Sequence, residues 1–139
     1  MIDASVAVQW FLQEPGSIAA RAVLTREGRL VAPDRLLLEV ANVLRRKERR
    51  GEITPAHVDR ATGRLASFFH EILPTEPLLA SAVALSRQLD HPVSDCVFLA
   101  AAMVPAACLI TADEHFHRKL GAWGNTVELL EHDARAHPA

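Results

Sequence analysis

Ser94-Asp95-Cys96-Val97-Phe98-Leu99-Ala100-Ala101-Ala102-Met103 decides how the rest of the chain must be arranged. A helix that is apolar on every side is a buried helix. This stretch has no charged residue except Asp95, in its first turn. One reading of Asp95 is structural, because the positive end of the helix macrodipole favours a carboxylate there. The other reading makes it one of four acids placed beside apolar segments, with Asp3, Glu39 and Asp113.

Downstream, Pro105 ends the helix. Ala106-Ala107-Cys108-Leu109-Ile110-Thr111 is short and apolar, the mark of a buried parallel strand. Asp113 follows it. Glu114 to Leu120 reads as a small helix stopped by Gly121, and Val127-Glu128-Leu129-Leu130 as a final strand. Residues 1–131 then make one domain, and His132 to Ala139 a polar tail.

Upstream, Met1-Ile2 is a strand stub, short enough that either the true start lies further upstream or the strand is a frayed edge of the sheet. Asp3-Ala4-Ser5 is a turn, and Val6 to Leu12 a short helix ending near Glu14-Pro15-Gly16. Asp3 or Ser5 also suits the N-cap of that helix. Ser17 to Glu27 has helical spacing and stops at Gly28. Arg29 to Pro33 is a brief strand ended by proline. Asp34 opens a strong helix, Arg35 to Arg50, closed by Gly51. Its apolar stripe is Leu36, Leu37, Val40, Val43 and Leu44, with Glu39 inside it. A buried lone carboxylate is expensive, so Glu39 needs a partner or a metal unless it lies on the polar edge or pairs with Arg35 or Arg46. Thr54-Pro55 starts a helix to about His70, Ile72-Leu73-Pro74 fits a short strand, and Glu76 to Leu89 is a further helix. Proline then forces extended backbone on His91.

The composition bounds the function. Of 139 residues, half are hydrophobic and 23% charged, which suits one globular domain with a full core. The net charge of −2 gives no overall attraction for nucleic acid, so an anionic partner needs a local basic patch or a metal. Arg45, Arg46, Lys47, Arg49 and Arg50 form such a patch; they equally suit a solvated helix C-terminus. Cys96 and Cys108 read as two buried, reduced thiols of a cytoplasmic protein, and they lack zinc-ligand spacing. The start lacks the basic and apolar regions of a signal peptide, and the longest apolar run, Cys96 to Ile110, is short of a membrane span. His115 and His117 are two apart on a helix and read as surface residues.

Strands alternating with helices argue for an α/β fold with a short central parallel sheet and helices on both faces. In such sheets the site lies beyond the carboxyl ends of the strands. Asp3 and Asp113 follow strands, Asp95 opens a helix, and Glu39 projects from a flanking helix, so the four can converge. Two like charges ~4 Å apart cost roughly 4 kcal/mol at an effective dielectric of ~20. A cluster of four therefore needs protons or a divalent cation, and hard oxygen ligands suit Mg²⁺ or Mn²⁺. The matching chemistry is attack of a metal-activated water on a phosphodiester.

Four blocks carry a family resemblance: Ile2-Asp3-Ala4-Ser5-Val6-Ala7-Val8-Gln9-Trp10, Leu38-Glu39-Val40-Ala41-Asn42-Val43-Leu44, Ser94-Asp95-Cys96-Val97-Phe98-Leu99-Ala100 and Leu109-Ile110-Thr111-Ala112-Asp113. In order and spacing they resemble the signature blocks of PIN-domain ribonucleases, and most of all VapC-type toxins of toxin–antitoxin pairs. The resemblance implies a PIN-like fold and a metal-dependent endoribonuclease, with Asp3, Glu39, Asp95 and Asp113 around Mg²⁺ or Mn²⁺. It implies that Ser5, Asn42 and Thr111 support the acids by hydrogen bonding. It further implies a homodimer neutralised by a cognate antitoxin. Arg45, Arg46, Arg49, Arg50, Arg118 and Lys119 are the candidate contacts for RNA or antitoxin. The alternative is a catalytically inactive PIN-like binding module. An adhesion-type metal site beginning Asp3-Ala4-Ser5 lacks the hydroxyl it needs at Ala7, and an aspartyl phosphatase would carry a second Asp where Ser5 stands.

Overall fold

A computed structural model of the chain describes residues 1–121 and 126–131; the expected tail, residues 132–139, lies outside the described residues. The chain is α/β, and its described residues form seven α-helices and short parallel strands. Strand β1 (Val31–Pro33) pairs in parallel with β2 (Glu71–Leu73), and β3 (Leu109–Thr111) pairs in parallel with β4 (Val127–Leu129). Between the two pairs runs Met1–Asp3. The Ile2 amide donates to the Val31 carbonyl at 3.0 Å, the Asp3 amide to Ile110 at 2.9 Å, and the Ile110 amide to Met1 at 2.9 Å. Ile2 is wholly buried. The stub is therefore the centre of the sheet and not its frayed edge. Two residues suffice because hydrogen bonds to neighbours on both sides hold them.

Helix α6 (Val93–Met103) is the buried helix its sequence predicts: every residue from Cys96 to Ala102 is buried. It packs on β1, on β3 and on α5 (Leu79–Leu89). Helix α1 (Ala4–Ala7) continues as a 3-10 turn, Val8–Phe11, and packs on β3 and on α3 (Arg35–Arg49). In α3 the stripe Leu36, Val40, Leu44 is buried, while Leu38 faces solvent. Helix α2 spans Ser17–Val23, and α7 spans Glu114–Lys119. Thr54 caps α4 (Pro55–Leu65), its hydroxyl accepting the His57 amide at 3.1 Å, with Pro55 at the first helical position.

Several boundaries differ from the sequence reading. The helix expected to reach His70 stops at Leu65 and tightens into a 3-10 turn, Ala66–Phe68. Strand β3 begins only at Leu109, because Ala106 takes a left-handed φ of 50° after the end of α6. Asp34 precedes α3 without capping it; its carboxylate accepts instead from the amide and hydroxyl of Thr75, beyond β2. Cys108 is exposed, not buried; Cys96 is buried, and both thiols are free. No described helix is long and apolar enough to cross a membrane.

Candidate active site

The site is built around Asp3. Its backbone stands where a cap of α1 would stand, but its side chain makes no cap hydrogen bond. The carboxylate turns inward instead. Ser5 Oγ lies 2.6 Å and Thr111 Oγ1 2.8 Å from the same oxygen, Oδ2. A hydroxyl has one proton and a carboxylate only accepts. Both hydroxyls therefore donate to Asp3. Each then accepts a backbone N–H from the loop after β3: Ser5 Oγ from Ala112 at 2.9 Å, and Thr111 Oγ1 from Asp113 at 3.1 Å. Two turns far apart in sequence are thus locked onto one carboxylate. Asp3 is 7% exposed and Thr111 0%. Burial is the largest influence on Asp3 and raises its pKa; the hydrogen bonds from Ser5 and Thr111 oppose this, and the nearby Asp95 charge adds to it.

Glu39, half-buried on α3, lies within electrostatic reach of this carboxylate. Burial raises its pKa first, then the Asp3 charge; Asp95 pushes the same way, while Arg35 and Arg46 act against the rise. Glu39 Oε2 is buried without a hydrogen-bond partner, and the nearest cation, Arg35 Nε, stands 3.9 Å away, beyond a hydrogen bond. Arg35 Nε sits 3.3 Å from the Ser94 carbonyl and so ties α3 to the start of α6. Asp95 receives His91 Nε2 on Oδ2 at 2.8 Å. Asp113 caps α7, its Oδ1 accepting the Phe116 amide at 3.0 Å.

The structure thus brings Asp3, Glu39 and Asp95 within electrostatic reach of one another, and joins Asp113 to Asp3 through Thr111. Among the described residues, no three Asp, Glu, His or Cys side chains stand close enough to form a ready-made metal cage. Mg²⁺ does not demand one, since it keeps several waters and is bound by one or two carboxylates. The hard-oxygen donors and the orphaned Glu39 oxygen fit such an ion. Ser5 and Thr111 stand where supporting residues were expected. Asn42 is exposed, and its side chain makes no hydrogen bond to an acid among the described residues.

The basic residues divide. Arg45 pairs with Glu48, and Arg50 with Glu52 at 3.3 Å. Lys119 Nζ donates to the Asp90 carbonyl at 3.1 Å and the Leu89 carbonyl at 3.4 Å, closing the end of α5. Arg46, Arg49 and Arg118 are exposed; Arg46 and Arg49 share a shallow surface cleft with Arg50. His91 escaped the sequence reading. The only signal was its place between a helix end and Pro92, four residues before Asp95.

A nuclease-like α/β domain is the class this fold and these acids define. The chain belongs to the PIN-domain family, whose sequence model matches residues 1–120. PIN domains are generally nucleases and typically use divalent metal ions. No curated protein matches the chain.

Proposed function

We propose that this protein is a metal-dependent endoribonuclease, the toxin of a toxin–antitoxin pair. The observation that carries the reading is that buried Asp3 and half-buried Glu39 and Asp95 lie within electrostatic reach of one another, with one Glu39 oxygen left without a hydrogen-bond partner. A buried carboxylate oxygen without a hydrogen bond is costly, and a site for a cation beside Glu39 explains it. Asp3, Glu39, Asp95 and Asp113 would hold Mg²⁺ or Mn²⁺. When bound, the ion lowers the pKa of a coordinated water and offsets charge on the scissile phosphate. Ser5 and Thr111 fix the Asp3 rotamer, and Arg35 anchors α3 beside α6. The similarity of the four sequence blocks to VapC-type toxins supports RNA as substrate, a homodimer as the working form and an antitoxin as partner.

The test is cleavage of a mixed RNA pool in Mg²⁺, Mn²⁺ and EDTA, beside Asp95→Asn at equal folded concentration. Metal-dependent cleavage that falls by about two orders of magnitude or more in the variant is expected. Cleavage that persists in EDTA, or in Asp95→Asn, overturns the assignment.

A further inference from the structure

Four polar side chains are buried among the described residues: Asp3, Ser17, His91 and Thr111. Asp3 and Thr111 belong to the acid site, and Ser17 joins Gln9 to the Glu14 backbone. His91 has no such account. It lies outside α6, in the link from α5, yet it is held more firmly than a loop residue needs to be. Its amide donates to the Ser86 carbonyl at 3.3 Å, and its own carbonyl accepts from Ser86 Oγ at 2.5 Å. Asp90 before it takes a left-handed φ of 48°, and Pro92 after it keeps the backbone extended.

With its backbone pinned, the ring meets Asp95, Phe116 and His115. Nε2 meets Asp95 Oδ2 at 2.8 Å, the ring stacks on Phe116 with centroids 4.8 Å apart and planes 17° from parallel, and the His115 ring lies tilted beside it with centroids 5.7 Å apart. The carboxylate only accepts, so the proton sits on Nε2. Asp95 Oδ1 takes no hydrogen bond among the described residues. Phe116 in turn donates its amide to Asp113. One imidazole therefore joins Asp95 on α6 to the turn that carries Asp113 on α7.

We propose that His91 is a positioning residue for the acid site. It holds Asp95 through Oδ2, leaves Oδ1 as the oxygen free for a cation, and through its stack on Phe116 sets where Asp113 stands. Residues that orient a ligating carboxylate from behind typically change metal affinity by about 10–100-fold when removed. The consequence for metal rests on the nuclease reading; the contact itself does not.

Two variants separate donor from filler. Gln places an amide nitrogen where Nε2 stands, whereas Leu fills space and donates nothing. Manganese affinity measured by calorimetry is expected to fall about 10–100-fold in His91→Leu and to be largely recovered in His91→Gln. Independently, imidazole ¹⁵N spectra of the metal-free wild type at pH 8 are expected to show His91 as the Nε2–H tautomer. Its proton should be protected from exchange, and that protection should vanish in Asp95→Ala. Wild-type Mn²⁺ affinity in folded His91→Leu, or an Nδ1–H tautomer in the wild type, overturns the proposal. Should His91→Leu fail to fold, His91→Gln and the spectra decide: loss of affinity in His91→Gln with the fold intact also counts against it. An Nε2–H signature with no Mn²⁺ binding by the wild type upholds the contact and removes the nuclease reading.

Discussion

The acid site gathers carboxylates whose charged forms burial disfavours. Burial raises the pKa of Asp3 and Glu39, so the folded chain keeps these protons to higher pH than the unfolded chain does. The stability this supplies is fully present below the ordinary values of 3.8 and 4.5 and is lost as pH rises through the raised values. In EDTA, urea midpoints should therefore fall as pH climbs from about 4 toward neutrality. Glu39→Gln removes its share of that loss. The metal-free variant should be more stable than wild type at pH 7 by about 1 kcal/mol, a gain of about 2–4 °C in Tm by calorimetry, while binding metal less tightly. Thr111→Val has the opposite sign. It keeps shape but strips a donor from a buried carboxylate, and should cost about 1–3 kcal/mol in urea unfolding.

Helix α3 divides its faces between core and solvent along its whole length. Leu36, Val40 and Leu44 are buried, Glu39 is at the edge of that stripe, and Arg46 lies two turns on, close enough to act on the Glu39 charge. Arg46 and Arg49 are not in ion pairs among the described residues, unlike Arg45 and Arg50. Reversing both charges should weaken RNA binding and reduce its salt slope by about one for each phosphate left without its cation. A variant that binds RNA unchanged but no longer binds the antitoxin would reassign this surface to partner docking. Helix boundaries were less legible than helix identity. Leu65 and Phe68 keep a continuous apolar rhythm in sequence, yet the chain tightens between them to bring Glu71–Leu73 alongside β1. Register against a distant strand leaves no mark in local periodicity.

At the scale of the molecule, Met1–Asp3 links the two strand pairs by backbone hydrogen bonds among the described residues, so Ile2 is the keystone of the sheet. Ile2→Ala should cost about 2–5 kcal/mol, read from denaturant midpoints, more than a frayed edge residue would. If the chain works as a dimer, light scattering should give twice its mass of 15.2 kDa; the single mass at working concentration would remove that part of the reading.

The sequence by itself determined the α/β class, the buried helix after Asp95, the four acids and the hydroxyls at Ser5 and Thr111. The class and the buried helix follow from apolar run length and from the alternation of strand with helix, and the acids stand out as carboxylates beside apolar segments; Ser5 and Thr111 are singled out by the resemblance to PIN-domain ribonucleases, not by a local pattern. Only the tertiary structure decided that Met1–Ile2 is central, that Asp34 serves Thr75, that Lys119 closes α5 and that His91 stands behind Asp95. Each of these depends on a hydrogen bond whose partner is brought near by packing. A residue's type gives its bonding capacity, and the fold selects which neighbour uses it.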